Sequence, residues 1–278
     1  EKIMINAGGW KKERQEEQFY QWFNDMPEYL ITIDATYAQQ GANVEGLLFE
    51  RSDSICLEYC EANNTNLKVA TGFPENSTQY AGARGFLLAD CNQVFFNHVH
   101  ADNTTHEKNL CSSSTIINGP AGIEQRSSNN CTYKRSTFNG SIIKSVDTGC
   151  TAARNQSFGL LVSSALKGSL TVQDSQASNI TGPSACGFFV QDANVVTLKK
   201  STANNLKATD ALNGTAVGFN TLSTQGLSII DSVARENRGH SGFGFKVTSS
   251  LGLTLEGNKA IENSTDGFNT SQLSSDVN

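Results

Sequence analysis

A glycine followed by an apolar residue recurs along this chain, and the repeat constrains the fold more than any other feature. Eleven residues after six of the eight glycines stands a large apolar residue, and sixteen residues after the same six stands an alanine or a phenylalanine. Such a period defines a unit that buries its apolar side only against neighbouring units, as in a solenoid. The glycines are Gly46, Gly85, Gly122, Gly159, Gly187, Gly218, Gly244 and Gly267.

Apolar and small residues inside each unit are spaced two or three residues apart, which favours short strands separated by bends over a helix. Three strands per unit would close one coil, and stacked coils would place each residue above its equivalent in the next coil. We predict two inner apolar columns on this basis. One is Ile55, Val94, Cys131, Leu170, Val196, Leu227 and Leu253; the other is Leu57, Phe96, Tyr133, Val172, Leu198, Ile229 and Leu255.

A column of asparagines follows these apolar columns at a recurrent bend. Asparagine tolerates the left-handed backbone conformation, and its amide binds neighbouring backbone, so we expect stacked copies to hydrogen-bond each other. The column is Asn64, Asn103, Asn139, Asn179, Asn205, Asn237 and Asn263.

The full repeat motif is Gly-Phe-x-Val-x-x-Ser/Ala, then Val-x-Leu, then Ser-x-Ala-x-Asn. It is clearest at 187–205, 218–237 and 244–263. Across 42–270 it resembles the right-handed parallel β-helix (pectate-lyase-like) superfamily. The resemblance implies an all-β, right-handed parallel β-helix solenoid of about eight coils. It leaves function open, because such a scaffold hosts unrelated activities.

We divide the chain into an N-terminal cap and lead-in strand (1–41), the parallel β-helix (42–270) and a C-terminal tail (271–278). Residues 10–24 are predicted to form a capping helix, because good helix formers precede an apolar side that includes Phe19 and Trp22. A helix there would cover the strand edges of the first coil. A lead-in strand is predicted within 29–37.

The seven cysteines divide by their place in the repeat. Cys60, Cys91 and Cys131 fall on inward positions and are predicted to be buried free thiols. Cys111 and Cys150 fall at nearly the same phase of consecutive coils, a phase that Cys186 shares. Neighbouring coils could bring one pair within bridging distance, and Cys111 with Cys150 is the pair we predict.

Composition excludes some partners and favours a location. The net charge is −6 and no basic patch is present, which argues against nucleic acid. No stretch is long enough for a membrane-spanning helix. Ten Asn-x-Ser/Thr sequons favour an extracellular, cell-surface or virion-surface location. Half of them coincide with the asparagine bends; the freer ones are the glycosylation candidates Asn76, Asn130, Asn155, Asn213 and Asn269.

Extra length between the asparagine column and the next glycine predicts long loops at 65–84, 104–121 and 140–158. Because they share a phase, they should emerge on one side of the N-terminal half, and loops held by a rigid scaffold often carry function. The candidate ligand-binding residues on them are Arg84, His106, Lys108, Lys144, Asp147 and Arg154.

His98 and His100 alternate on a strand-like stretch, and two such histidines can share a metal ion. The repeat, however, aligns His98 with Tyr59, Asp174, Lys200 and Asp231 in a variable outward column. We therefore expect surface positions here, and predict neither a metal site nor a cofactor.

The polar composition, the sequons and the lack of an acidic cluster favour a non-catalytic surface scaffold that presents loops for adhesion or glycan contact. Its partners would be glycans or a surface-assembly partner, including further copies of the chain as a trimer. The alternative is a polysaccharide-active enzyme, namely a lyase, glycoside hydrolase or epimerase, with its site in the groove beside the long loops. A lyase needs a base and charge neutralisation, and a glycosidase needs two carboxylates at a fixed separation.

Overall fold

The computed structural model of the chain describes residues 3–4, 31–34, 39–40, 43–69, 82–108, 119–144, 156–163 and 168–271. Within these ranges the fold is all-β and contains no helix. The strands are β1 (Ile3–Met4), β2 (Ile31–Asp34), β3 (Gln39–Gln40), β4 (Asn43–Glu50), β5 (Asp53–Glu58), β6 (Cys60–Asn63), β7 (Asn66–Val69), β8 (Gly82–Ala89), β9 (Asn92–Asn97), β10 (Thr105–Lys108), β11 (Ala121–Arg126), β12 (Asn129–Lys134), β13 (Ile142–Ile143), β14 (Gln156–Ser163), β15 (Ser169–Gln173), β16 (Gln176–Ser178), β17 (Thr181–Gly182), β18 (Ser184–Gln191), β19 (Val195–Lys199), β20 (Thr202–Asn204), β21 (Lys207–Ala208), β22 (Thr215–Leu222), β23 (Gln225–Ile230), β24 (Val233–Arg235), β25 (Ser241–Thr248), β26 (Leu251–Glu256), β27 (Lys259–Ile261) and β28 (Asp266–Ser271).

The described strands pair in parallel, each with its equivalent in the next repeat, as expected for a parallel β-helix. Sheet 1 contains the repeat glycines and has the order β4-β8-β11-β14-β18-β22-β25-β28, and sheet 2 is β5-β9-β12-β15-β19-β23-β26. Sheet 3 consists of β1-β2-β6 and β16-β20-β24-β27, which are linked by isolated bridges through His100 and Thr137. Sheet 4 is β3-β7-β10-β13-β17-β21.

Each full repeat therefore contributes four strand positions, and the prediction of three was wrong. The strands of sheet 4 lie in segments that the sequence pattern assigned to loops, namely β7 in 65–84, β10 in 104–121 and β13 in 140–158. Four of its six described strands have only two residues, too few to show a period. Its aligned positions also vary in type, because Leu67, His106 and Ile143 occupy one register row.

The repeat glycines are required because a side chain would not fit between the stacked coils, rather than because of their backbone conformation. A Cβ atom built on Gly85 would lie 2.6 Å from the carbonyl oxygen of Gly122, and one on Gly187 would lie 2.7 Å from that of Gly218. Real Cβ atoms do not approach backbone this closely, so the coils stack at this spacing only with glycine in the column.

Both predicted inner columns are confirmed by the pairing of sheet 2, where Val94 aligns with Cys131 and Phe96 with Tyr133. The main core continues behind sheet 1 as a row of phenylalanines. Phe188, Phe219, Phe245 and Phe268 stack face to face, with ring centroids 4.8, 4.9 and 4.8 Å apart.

The asparagine bend is confirmed, with a shift of one residue in some coils. Asn64, Asn103, Asn179 and Asn205 have positive φ, whereas Gly140, Glu236 and Glu262 take that conformation in the coils whose asparagine is displaced. The expected amide ladder is present: Asn205 Nδ2 donates to Asn179 Oδ1 at 2.7 Å, and Asn103 Nδ2 donates to Asn64 Oδ1 at 3.4 Å.

A second ladder lies inside the coils, below the corner between sheets 2 and 3. The backbone N–H of each coil donates to a side-chain oxygen of the next, through Ser136, Ser175, Ser201, Ser232 and Asn258. These residues are the small or polar column of the repeat. They satisfy backbone donors that would otherwise be orphaned inside the core.

The predicted buried thiols are confirmed. Cys60, Cys91 and Cys131 are buried and free, and burial raises the pKa of Cys60 to about 11 and that of Cys131 to about 12. Cys186 is also buried and free. The predicted helix over 10–24, most of the predicted cap and tail, and the Cys111–Cys150 pair lie outside the described residues. Part of the lead-in strand is confirmed, because β2 pairs with β6.

Candidate functional site

A compact cluster of charged side chains lies on the face of sheet 1 that is turned away from the main core. Arg84 Nε donates to Glu124 Oε2, and Arg126 Nε donates to Glu124 Oε1. The side chains of Arg84 and Glu124 are only 2% and 4% exposed. Glu45 is the register partner of Arg84 on the neighbouring strand β4. We call Glu45, Arg84, Glu124 and Arg126 the charge cluster.

The guanidinium of Arg84 is also fixed by backbone. Its Nη1 donates to the carbonyl oxygens of Ala83 and Gly119, at 2.9 and 2.6 Å. Its Nη2 is buried and has no hydrogen-bond partner among the described residues. Arg84 therefore holds a fixed position, and one of its donors is available to a further acceptor.

The two carboxyl groups of the cluster respond to it in opposite ways. Burial works to raise the pKa of Glu124, but Arg84 and Arg126 outweigh it, and the pKa lies below its usual value. Burial also works on Glu45, and here it outweighs the attraction of the two arginines, so the pKa of Glu45 is raised. Glu124 is thus held as the anion, whereas Glu45 keeps its proton to a higher pH than an ordinary glutamate does.

The structure brings three of the predicted ligand-binding residues close together. Arg84 follows Ala83, whose N–H donates to His106 Nε2 at 2.7 Å, and the Lys144 N–H donates to the His106 carbonyl at 2.9 Å. His106 is fully buried and positions β8, so it is a structural residue rather than an exposed ligand. The Lys144 ammonium is exposed and lies 3.7 Å from Glu107.

The other predicted ligand-binding residues have side chains outside the described part of the chain. Lys108 ends β10, and its side chain lies outside the described part of the chain. Asp147 and Arg154 lie outside the described residues, as do the sequons at Asn76 and Asn155. Of the remaining sequons, Asn130 lies in β12, Asn213 on an exposed turn and Asn269 in β28.

The two histidines that were weighed as metal ligands have separate local roles. His98 lies at the corner between sheets 2 and 3 and stacks on Tyr59, with ring centroids 4.8 Å apart and planes within 10°. His100 Nδ1 lies 2.7 Å from Thr137 Oγ1, and that hydroxyl is 3.2 Å from the carboxylate of Asp102. Among the described residues, no group of three or more His, Cys, Asp or Glu side chains could hold a metal ion.

The stacked pair belongs to an exposed surface that combines aromatic rings with a carboxylate. Tyr59 is 50% exposed and Phe95 is 37% exposed. Between them lies Glu58, whose Oε1 accepts a hydrogen bond of 3.2 Å from Asn97 Nδ2. We call Glu58, Tyr59, Phe95, Asn97 and His98 the aromatic surface.

The register fixes the dimensions of this surface. Glu58 and Asn97 are cross-strand partners, as are Cys56 and Phe95, so the residues lie on two adjacent strands, β5 and β9. From Phe95 to the corner at His98 is three residues, which spans about 10 Å along a strand. Aromatic faces and a carboxylate at this separation can contact one ligand of a few sugar units.

Sequence reasoning missed Glu45, Glu124 and Arg126, and it did not single out Phe95. A signal for Glu124 existed, because it interrupts an outward row of sheet 1 that is otherwise apolar in the N-terminal half, formed by Leu48, Leu87, Leu161 and Phe189. Tyr59 had been aligned with His98, but the pattern could not show that the two rings stack.

The chain matches no protein-family model and no curated protein. No helix within the described part of the chain is long and apolar enough to cross a membrane. Fold and site geometry therefore carry the functional argument.

Proposed function

We propose that this protein is a non-catalytic β-helical scaffold that contacts glycans through the aromatic surface. The observation that carries the proposal is the exposed ring of Tyr59, which stacks on the partly buried His98 and lies near the exposed Phe95 and a carboxylate held by Asn97. The C–H face of a sugar ring is apolar and weakly electropositive, which suits the electron-rich face of an aromatic ring. Sugar hydroxyls donate hydrogen bonds that a carboxylate can accept.

Glu58 is free to take that role. Its Oε1 is held by Asn97, whereas no other described residue donates a hydrogen bond to Oε2. The Tyr59 ring is already fixed by its stack on His98, and the strand register sets the position from which Phe95 projects. A site organised in advance loses little conformational entropy on binding.

The charge cluster is less suited to this role. Its two arginines and two carboxylates balance in formal charge, and its central pair is almost fully buried. A buried pair of this kind is held by its own partners and does not present hydrogen-bonding groups at the surface.

The experiment is binding to an array of neutral and acidic oligosaccharides, with wild-type protein and the variants Tyr59→Ala and Phe95→Ser. We expect each variant to weaken binding by at least about tenfold, equal to about 1.4 kcal/mol. Val195→Ser is the matched control, because Val195 is a 51% exposed apolar residue on the same sheet. Equal binding by all four proteins, or no binding to any glycan, would overturn the proposal.

A polysaccharide-active enzyme is the second candidate, and one observation favours it. Glu45 has a raised pKa beside Arg84, whose buried Nη2 finds no hydrogen-bond partner in the described part of the chain. An acid–base carboxyl next to an arginine that can neutralise charge is the combination that a lyase needs. New reducing or unsaturated ends from a panel of polysaccharides, lost in Glu45→Gln, would favour this reading over the first.

The finer classification of the fold is also a proposal. The repeat phrase resembles the pectate-lyase-like superfamily, and parallel strands joined by crossovers are right-handed in nearly all known cases. We propose a right-handed solenoid on these grounds. We likewise propose an extracellular or surface location, supported by the density of sequons.

A further inference from the structure

We infer that Asn213 carries an N-linked glycan when the chain passes through a compartment that adds one, and that Asn130 does not. The inference rests on the geometry of the two sequons, Asn213-Gly214-Thr215 and Asn130-Cys131-Thr132. It is independent of the aromatic surface, so its failure would leave the proposed function untouched.

Asn213 lies on an exposed turn that projects from the stacked coils. Asp210 builds this turn, because its Oδ1 accepts hydrogen bonds from the N–H groups of Leu212 and Asn213, at 2.9 and 3.1 Å. The Gly214 N–H closes the turn on the Asp210 carbonyl at 2.9 Å. Leu212 at the tip of the turn is 77% exposed, so the turn projects into solvent.

The side chain of Asn213 is exposed and makes no hydrogen bond to another described residue. Its backbone N–H is the group that fixes the turn, so a substituent on Nδ2 would leave the turn intact. Thr215, the third residue of the sequon, opens β22, and its N–H donates to Ser184 Oγ at 3.1 Å. The sugar would therefore extend into solvent from a fixed base.

Asn130 is also exposed, but its side-chain amide is hydrogen-bonded to both neighbouring coils. Its Nδ2 donates to Asn92 Oδ1 at 2.9 Å, and its Oδ1 accepts from the Ser169 N–H at 3.2 Å. Asn130 lies between the equivalent positions of the two adjacent coils. Adjacent strands of a parallel sheet are about 4.8 Å apart. A sugar on Nδ2 would have to occupy that gap, and Cys131 beside it is buried in the core.

Most other sequons on described residues resemble Asn130 in having engaged or buried amides. Asn63 donates to Glu61, Asn103 to Asn64 and Asn263 to the Ala234 carbonyl; Asn179 accepts from Asn205, and Asn139 Oδ1 is buried. Asn103, Asn179 and Asn263 are tied to a neighbouring coil by these bonds, and Asn63 is tied to one by accepting from the Asp102 N–H. Asn213 and Asn269 make no side-chain hydrogen bond to another described residue, and Asn213 is the more exposed of the two.

The chemistry is transfer of an oligosaccharide from a lipid diphosphate donor. Asn213 Nδ2 forms the bond to C1 of the first sugar, the bond from C1 to the diphosphate breaks, and Nδ2 loses one proton. The amide keeps one N–H, so the product remains an ordinary secondary amide.

The test expresses the full chain behind a secretory leader in a eukaryotic host and maps glycan occupancy at each sequon by mass spectrometry of glycopeptides. Both secreted and retained protein are analysed, so failure to leave the cell does not hide the result. We expect Asn213 to be occupied and Asn130 to be unoccupied in folded, protease-resistant protein. Asn213→Gln should remove one glycan by intact mass, whereas Asn130→Gln should remove none.

Two results would overturn the inference. One is an unoccupied Asn213 in folded protein. The other is a glycan on Asn130 in protein that is as protease-resistant as the wild type. Thr215→Ala gives a second check at Asn213, because it removes the sequon and keeps the asparagine, and it should lose the same glycan.

Discussion

Arg84 Nε and Glu124 Oε2 form an ion pair on the outer face of sheet 1, and both side chains are almost completely buried. The pair joins β8 to β11, so it connects two consecutive coils of the repeat. Because Glu124 also accepts from Arg126, the pair is the centre of the charge cluster, and its substitution tests what the cluster contributes.

Removing one partner of this pair should destabilise the protein strongly. Glu124→Gln leaves the buried Arg84 without its counter-charge, which should cost about 3–5 kcal/mol of unfolding free energy. The double variant Arg84→Met/Glu124→Leu removes both charges and should recover most of that loss. Urea denaturation measures both. A double variant as unstable as Glu124→Gln would show that the loss comes from packing and not from the unpaired charge.

The two carboxyl groups should give opposite pH dependences of stability. The pKa of Glu124 is lowered in the folded state, so its contribution is complete above the unfolded value, near 4.5, and is lost as the pH falls through the folded pKa. The unfolding free energies of wild type and Glu124→Gln should therefore converge only in acid.

Glu45 should behave in the reverse sense. Its folded pKa is raised above 4.5, so the favourable contribution of its neutral form is present below that value and is lost as the pH rises through the folded pKa. Glu45→Gln should match wild type in acid and be more stable than wild type near neutrality. A variant less stable than wild type at neutral pH would mean that ionised Glu45 supports the fold.

The second ladder, formed mainly by serines, should stabilise the fold because each of its side chains accepts a hydrogen bond from a buried backbone N–H. Ser201 Oγ accepts from the Ser175 N–H at 3.4 Å and donates to the Lys199 carbonyl at 3.0 Å. Ser201→Ala leaves a buried N–H without a partner, which should cost about 1–3 kcal/mol. Ser228→Ala, on the outer side of sheet 2, is the control and should change stability by less than about 0.5 kcal/mol.

The phenylalanine stack should be most sensitive at its interior. Phe219 is fully buried between Phe188 and Phe245, so Phe219→Ala should cost about 3–5 kcal/mol. Phe268 ends the described stack and is 46% exposed. Phe268→Ala should therefore cost clearly less, and equal losses in denaturation experiments would contradict this ranking.

The sequence predicted the core well, because stacking repeats each inward residue in every coil. Val94 over Cys131 and the asparagine bend could be read from spacing alone. Sheet 4 could not, because strands of two residues show no period. The charge cluster was missed for a related reason: Glu45, Glu124 and Arg126 occur once each on outward positions, so no column of equivalent charged residues marks them.

The aromatic surface could be predicted from the sequence only in part. The alignment placed Tyr59 and His98 in one outward column, but the stacking distance depends on the left-handed backbone of both residues, which only the structure shows. Arg84 and His106 were chosen as exposed loop residues and are instead buried, because the segments around them form strands of sheets 1 and 4.

Side-chain oxidative footprinting with the strongest-binding oligosaccharide from the array shows whether ligands bind at the aromatic surface. We expect reduced labelling of Tyr59, Phe95 and His98 on binding, with Phe268 unchanged as an internal reference. Unchanged labelling of all three residues while the oligosaccharide is bound would contradict it.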